Sequence, residues 1–161
     1  MFAFNHDSEF TDRLATRSRF RLKNSTKKKV LFATDFSPSS RAGLRWATSL
    51  AKTLEAELLI VHVDATPTPD ENLLHEEYRH GRATANARLH TLEATDPDVP
   101  CRHKVLFGDP ATEILWLAEQ EEVDLMVLGT HARTGFLRLF HRSVAKKVLG
   151  RASCPVLVVR R

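Results

Sequence analysis

Cysteine is scarce in this chain, and long apolar runs and internal repeats are absent. Each shortage removes a class of protein. Only two cysteines, Cys101 and Cys154, occur in 161 residues. They are far apart and fit no metal-ligand spacing, which argues against a disulfide-stapled or zinc-organised scaffold. Two reduced thiols in or beside strands are expected, in a reducing cytosol. No apolar run approaches the roughly 18 residues that a membrane-spanning helix needs. The first residues lack the apolar core of a secretory signal, and Asp7, Glu9 and Asp12 argue against a transit peptide. The expectation is a cytoplasmic protein with no membrane span.

What is present reads as one globular domain with a basic arm. The apolar fraction is 42% and the net charge is +4. The charge is uneven: the first 29 residues hold eight Lys/Arg against three Asp/Glu, which leaves the remainder near neutral. The basic character belongs to residues 1–28, so no specific nucleic-acid partner is expected. This arm is expected to be mobile or loosely docked; the alternative is an electrostatic tether to an acidic partner or membrane. Residues 29–161 form the domain.

Short apolar runs alternate with helical patterns along that domain. KVLFAT (Lys29 to Thr34) reads as a strand buried on both faces. Ser37 before Pro38 signals a helix start. Leu44, Ala47, Leu50, Ala51 and Leu54 then make one apolar stripe to about Leu54, with Trp46 beside it. ELLIVHV (Glu57 to Val63) is the second strand. A long polar helix from Glu71 to about Thr95 follows a Pro/Thr-rich loop. His75 and His80 in it are five apart, not the four of a helical metal site, so a solvated face is expected. CRHKVLF (Cys101 to Phe107) alternates as a partly exposed or edge strand does. Asp109 before Pro110 caps a helix that ends near Glu121–Glu122. Val123 to Leu128 is the fourth strand, a helix from Ser143 to Gly150 follows, and CPVLVVR (Cys154 to Arg160) is the fifth strand.

Five strands alternate with four helices, with crossovers long enough to be right-handed. The pattern predicts a doubly wound α/β fold with a five-stranded parallel sheet and helices on both faces. Ligands in such sheets sit beyond the carboxyl ends of the strands, where strand order reverses. The residues there are Asp35, His62–Asp64, Phe107–Gly108 and Gly129–His131. Neither His62 nor His131 has a paired nucleophile or ligand set, so catalysis by either is not expected.

Four landmarks in this order and spacing carry a resemblance: LFATDFS, LLIVHV, the Gly108-Asp109-Pro110 loop, and VDLMVLGTHARTG followed by RSVAKKVLGRASCPVLVV. Over about Lys28 to Arg161 the chain resembles the universal stress protein family. The resemblance implies strand order 3-2-1-4-5, a fold of the adenine-nucleotide alpha hydrolase type, and a crevice between Asp35 and Gly129. The nucleotide-binding branch carries G-x-x-G, nine residues, then G-[ST]. Here Gly129 matches the first glycine, Ala132 and Arg142 replace the other two, and Ser143 matches the Ser/Thr. Glycine allows a positive φ and close approach of a phosphate. Arg142 instead either fills the phosphate space or holds a phosphate with its guanidinium.

By this resemblance Ala33, Thr34 and Val63 line the adenine pocket and Asp35 hydrogen-bonds the ribose or adenine side. Leu128 and Gly129 lead into the loop, and Ser143 and Val144 offer helix-start amides to phosphate. The resemblance implies a binding or signalling module in stress response, not a dedicated enzyme, with ATP or AMP as ligand and Mg²⁺ an open question. The alternative is a stress-response interaction protein that binds no nucleotide. Family members dimerise through the last strand, so a homodimer through Cys154–Arg160 is expected; the alternative is an edge covered by the arm.

Overall fold

The computed structural model describes residues 27–65, 75–130 and 144–160. The expected basic arm, apart from residues 27 and 28, lies outside them. The elements run β1 (Lys29–Ala33), α1 (Pro38–Thr53), β2 (Glu57–Asp64), α2 (His75–His90), β3 (Cys101–Phe107), α3 (Pro110–Gln120), β4 (Leu125–Thr130), α4 (Val144–Leu149) and β5 (Val156–Arg160). The sheet is five-stranded in the order β3-β2-β1-β4-β5, and every pairing is parallel. Both the fold class and the strand order expected above are found, and β3 occupies an edge as its alternation implied.

The period of two along each strand divides the core into two layers. Val30, Phe32, Leu58 and Ile60 pack with Leu44, Ala47 and Ala51 of α1 and Leu89 of α2. Leu31, Leu59 and Val61 pack on the other face with Ile114, Leu115 and Ala118 of α3 and Ala145 and Val148 of α4. Both faces of β1 are closed, so its three central residues are fully buried.

Helix starts follow the capping chemistry read from the sequence. The Ser37 hydroxyl accepts from the Ser40 amide at 3.3 Å, with Pro38 opening α1. The Asp109 carboxylate accepts from the Thr112 amide at 3.0 Å, ahead of Pro110. Gly108 has φ of 131°, a conformation closed to side-chain-bearing residues, and its amide returns to the Asp64 carbonyl.

Three boundaries differ from the expectation. The second helix closes at His90, not near Thr95, because the Thr91 and Leu92 amides turn back onto the Arg88 and Leu89 carbonyls. That frees Leu92 and Ala94 to pack on the core. The fourth strand begins and ends two residues later than expected, at Leu125–Thr130. Val123 is still tied to α3 through its amide bond to Ala118. Gly129 therefore lies within the strand, opposite Val159, and not in the loop. The fifth strand begins at Val156; Cys154 precedes it, and Pro155 contributes only its carbonyl, to the Met126 amide.

Candidate functional site

Parallel pairing of β1 with β2 and β4 brings Ala33, Val61 and Leu128 to the same end of the sheet. The next residues diverge: β1 breaks toward α1, β2 toward α2 and β4 toward residues 131–143. A cleft of about 310 Å³ opens there, on the face covered by α3 and α4. This is the carboxyl edge at the switch between β1 and β4 where doubly wound sheets hold ligands, and its volume falls at the lower end of small-molecule sites.

Ala33, Thr34, Asp35, Val63, Leu128, Gly129 and Val144, all expected at the site, line this one cleft. Ala132, Arg142 and Ser143 lie outside the described residues. Four further lining residues were not singled out from the sequence: Val61, Pro110, Ile114 and Ala145. The periods could have found them. Val61 is two before Val63 on one strand face, and Ile114 is four after Pro110 on one helix face.

The walls are apolar and the rim carries charge. Val61, Val63, Leu128 and Ile114 supply flat aliphatic surface. Asp35 is exposed at the mouth, and its Oδ1 accepts from the Ser37 amide at 2.9 Å, which fixes the carboxylate where the chain turns into α1. One carboxylate oxygen remains outside that bond. The Thr34 side chain turns away from the cleft. Its hydroxyl lies 2.6 Å from the Ser40 hydroxyl and accepts from the Phe36 amide at 3.0 Å, so Thr34 meets the cleft by its backbone. Its amide donates to the Val61 carbonyl and its carbonyl accepts from His62 Nδ1 at 2.9 Å. That bond gives His62 an orienting role at the end of β1.

Two close contacts hold the cleft's framework. Gly43 of α1 packs directly on β4: a Cβ there would stand 2.9 Å from the Phe32 ring and 3.4 Å from the Gly129 amide nitrogen. On the other face Lys147 of α4 reaches Asp109 at 3.2 Å, joining the two helices that supply Pro110 and Val144 to the cleft. Burial works against the Asp109 charge, but the Thr112 hydroxyl and amide and the Lys147 ammonium outweigh it and lower its pKa. Among the described residues no group of three His, Cys, Asp or Glu side chains gathers as metal ligands do.

The arrangement can take a flat apolar ring between β2, β4 and α3, with a hydrogen-bonding group at Asp35. Known proteins share the fold. The model of the universal stress protein family matches residues 27–160. A universal stress protein of Methanocaldococcus jannaschii is 34% identical over 141 residues, spanning 83% of this chain and 82% of that protein. Among solved structures, the universal stress protein UspA from Lactobacillus plantarum matches with a TM-score of 0.60 at 26% identity, over 85% of this chain and 100% of that one. A universal stress protein solved in complex with cAMP matches with a TM-score of 0.55 at 25% identity, over 84% of this chain and 98% of that one.

Proposed function

This chain belongs to the universal stress protein family, and we propose that its cleft binds an adenine nucleotide, ATP or AMP, as the ligand of a stress-response signalling module. The observation that carries the proposal is the cleft at the β1–β4 switch, apolar on its walls and bearing Asp35 at its rim. Adenine enters between Val61, Val63 and Ile114, with Val63 offering backbone contacts and Ala33 and Thr34 forming the floor. Asp35 accepts from ribose hydroxyls or the adenine edge. The relative solved with cAMP supports an adenine group as the occupant.

The phosphates then point toward the end of β4 at Thr130 and the residues that follow it in sequence. Ala132, Arg142, Ser143 and Val144 are the residues assigned to them, with Arg142 replacing bare backbone by a guanidinium. In this reading the module binds and signals, and any ATP hydrolysis is slow. A soluble cytoplasmic location is the matching proposal, and no described helix is long and apolar enough to cross a membrane. A homodimer through β5 belongs to the same reading, because β5 is an edge of the sheet.

A second reading keeps the family and the dimer but not the nucleotide. It rests on Ala132 and Arg142, which stand where the nucleotide-binding pattern has glycine. Calorimetric titration of nucleotide-stripped protein with ATP and AMP, with and without Mg²⁺, separates the two. Saturable binding near micromolar, about −8 kcal/mol, that weakens at least about tenfold in Asp35→Ala supports the nucleotide site. Absence of heat up to millimolar nucleotide supports the interaction protein.

A further inference from the structure

A second, smaller cavity of about 100 Å³ lies between the first turns of α1 and the end of α2. It is on the opposite face of the sheet from the nucleotide cleft, and Thr34 is the wall between them: backbone to one, hydroxyl to the other. Its floor is apolar, formed by Phe32, Leu44 and Leu92. Its polar side chains are the guanidinium groups of Arg41 and Arg88 and the hydroxyls of Thr34, Ser40 and Thr91, the last already donating to the Arg88 carbonyl at 2.7 Å. Among the described residues no carboxylate lines it.

The donors are short of acceptors. Thr34 and Ser40 are 6% and 2% exposed, and their two hydroxyls carry two protons. Their mutual contact at 2.6 Å uses one proton, while the Phe36 amide supplies a third hydrogen to Thr34 Oγ1. One buried hydroxyl proton therefore has no acceptor among the described residues. Neither Arg41 nor Arg88 is paired with a carboxylate among those residues. Arg88 is nevertheless held in place: its Cζ lies 4.3 Å from the centre of the Phe36 ring, whose other neighbour is the His62 ring at 4.4 Å. Phe36 reaches that position with φ of 61°, a left-handed conformation that a bulky side chain rarely adopts. The strained residue orders an arginine at a cavity of spare donors.

We infer that this cavity binds a small organic carboxylate with a compact apolar body. The body rests on Phe32, Leu44 and Leu92. The carboxylate meets the Arg41 and Arg88 guanidinium groups, and the spare hydroxyl donates to it. The size limits the ligand: a cavity of about 150 Å³ takes benzene, so one of about 100 Å³ takes a short branched aliphatic body and not a ring. Inorganic phosphate would satisfy the cations but leave the apolar floor uncovered.

Amide-resolved NMR titration of the full chain with isobutyrate tests the inference, with acetate and inorganic phosphate as comparators. Isobutyrate should give saturable shifts at Ser40, Arg41 and Leu92, and bind more tightly than either comparator. Arg41→Gln and Arg88→Gln replace exposed side chains and should each weaken it at least about tenfold, the effect of losing a charge-assisted contact. Unsaturable shifts, affinity unchanged from the parent protein in either variant, phosphate as tight as isobutyrate, or shifts confined to Val63 and Ile114 would each overturn it.

Discussion

Glu121 offers the sharpest test of how the sheet is held at the end opposite the cleft. It caps α3, and its carboxylate gathers three cations from two strands. Arg102 Nη2 lies 2.8 Å away and Lys29 Nζ 2.9 Å, with Lys104 Nζ at 3.7 Å from the other oxygen. Hydrogen bonding from Arg102 is the main cause that brings the Glu121 pKa down from 4.5 to about 2; burial opposes the shift, and Lys29 adds to it. A shift of that size sets a ceiling of roughly 3 kcal/mol on the stability it contributes. Glu121 is well covered, at 17% exposure, but the Arg102 and Lys104 side chains are 46% and 40% exposed. Solvent screening brings the expected contribution to about 1–2 kcal/mol.

The sign follows from the lowered pKa. The stabilisation is complete above the ordinary carboxylate pKa of 4.5 and is lost as pH falls through about 2. Glu121→Gln should therefore lower stability by about 1–2 kcal/mol at pH 7, or roughly 2–8 °C in Tm for a chain of this size. Thermal and urea unfolding of both proteins from pH 7 to pH 2 measures the gap. It should narrow through the acid range and close near pH 2. A gap of the same size at both ends would refute the electrostatic account and leave packing as its source.

Gly43→Ala should lose about 1–2 kcal/mol in urea unfolding. A gain of up to about 1 kcal/mol in helix propensity is outweighed by overpacking of about 1–3 kcal/mol against the buried Phe32 ring, and nucleotide affinity should fall with it because Gly129 is the other neighbour. Arg142→Gly should change ATP affinity about tenfold, tighter if the guanidinium fills the phosphate space and weaker if it clamps the phosphate. Unchanged calorimetric affinity would remove Arg142 from the site.

The fold was legible because its determinants are local and repeated. KVLFA and ELLIV are apolar without alternation, as strands buried on both faces must be, and Ser37-Pro38 and Asp109-Pro110 mark helix starts by capping chemistry alone. Much of the cleft was legible for the same reason: Ala33 and Leu128 in its wall and Asp35 at its rim sit at or just beyond strand ends that topology forces together. Other features depend on contacts that no local pattern encodes. The span of β4 is set by Val123 remaining on α3, and so Gly129 is a strand residue. Thr34 faces away from the cleft because Ser40, six residues later, returns beside it. Phe36 takes a glycine-like conformation that only the His62 and Arg88 contacts explain.

Amide-resolved NMR titration with AMP tests the central claim most directly, because it reports where the nucleotide sits as well as whether it binds. The account predicts saturable shifts at Thr34 and Asp35, at Val61 and Val63, at Leu128 and Gly129, and at Val144 and Ala145. Saturable shifts elsewhere, for example along β5 alone, or none up to millimolar AMP, would contradict it.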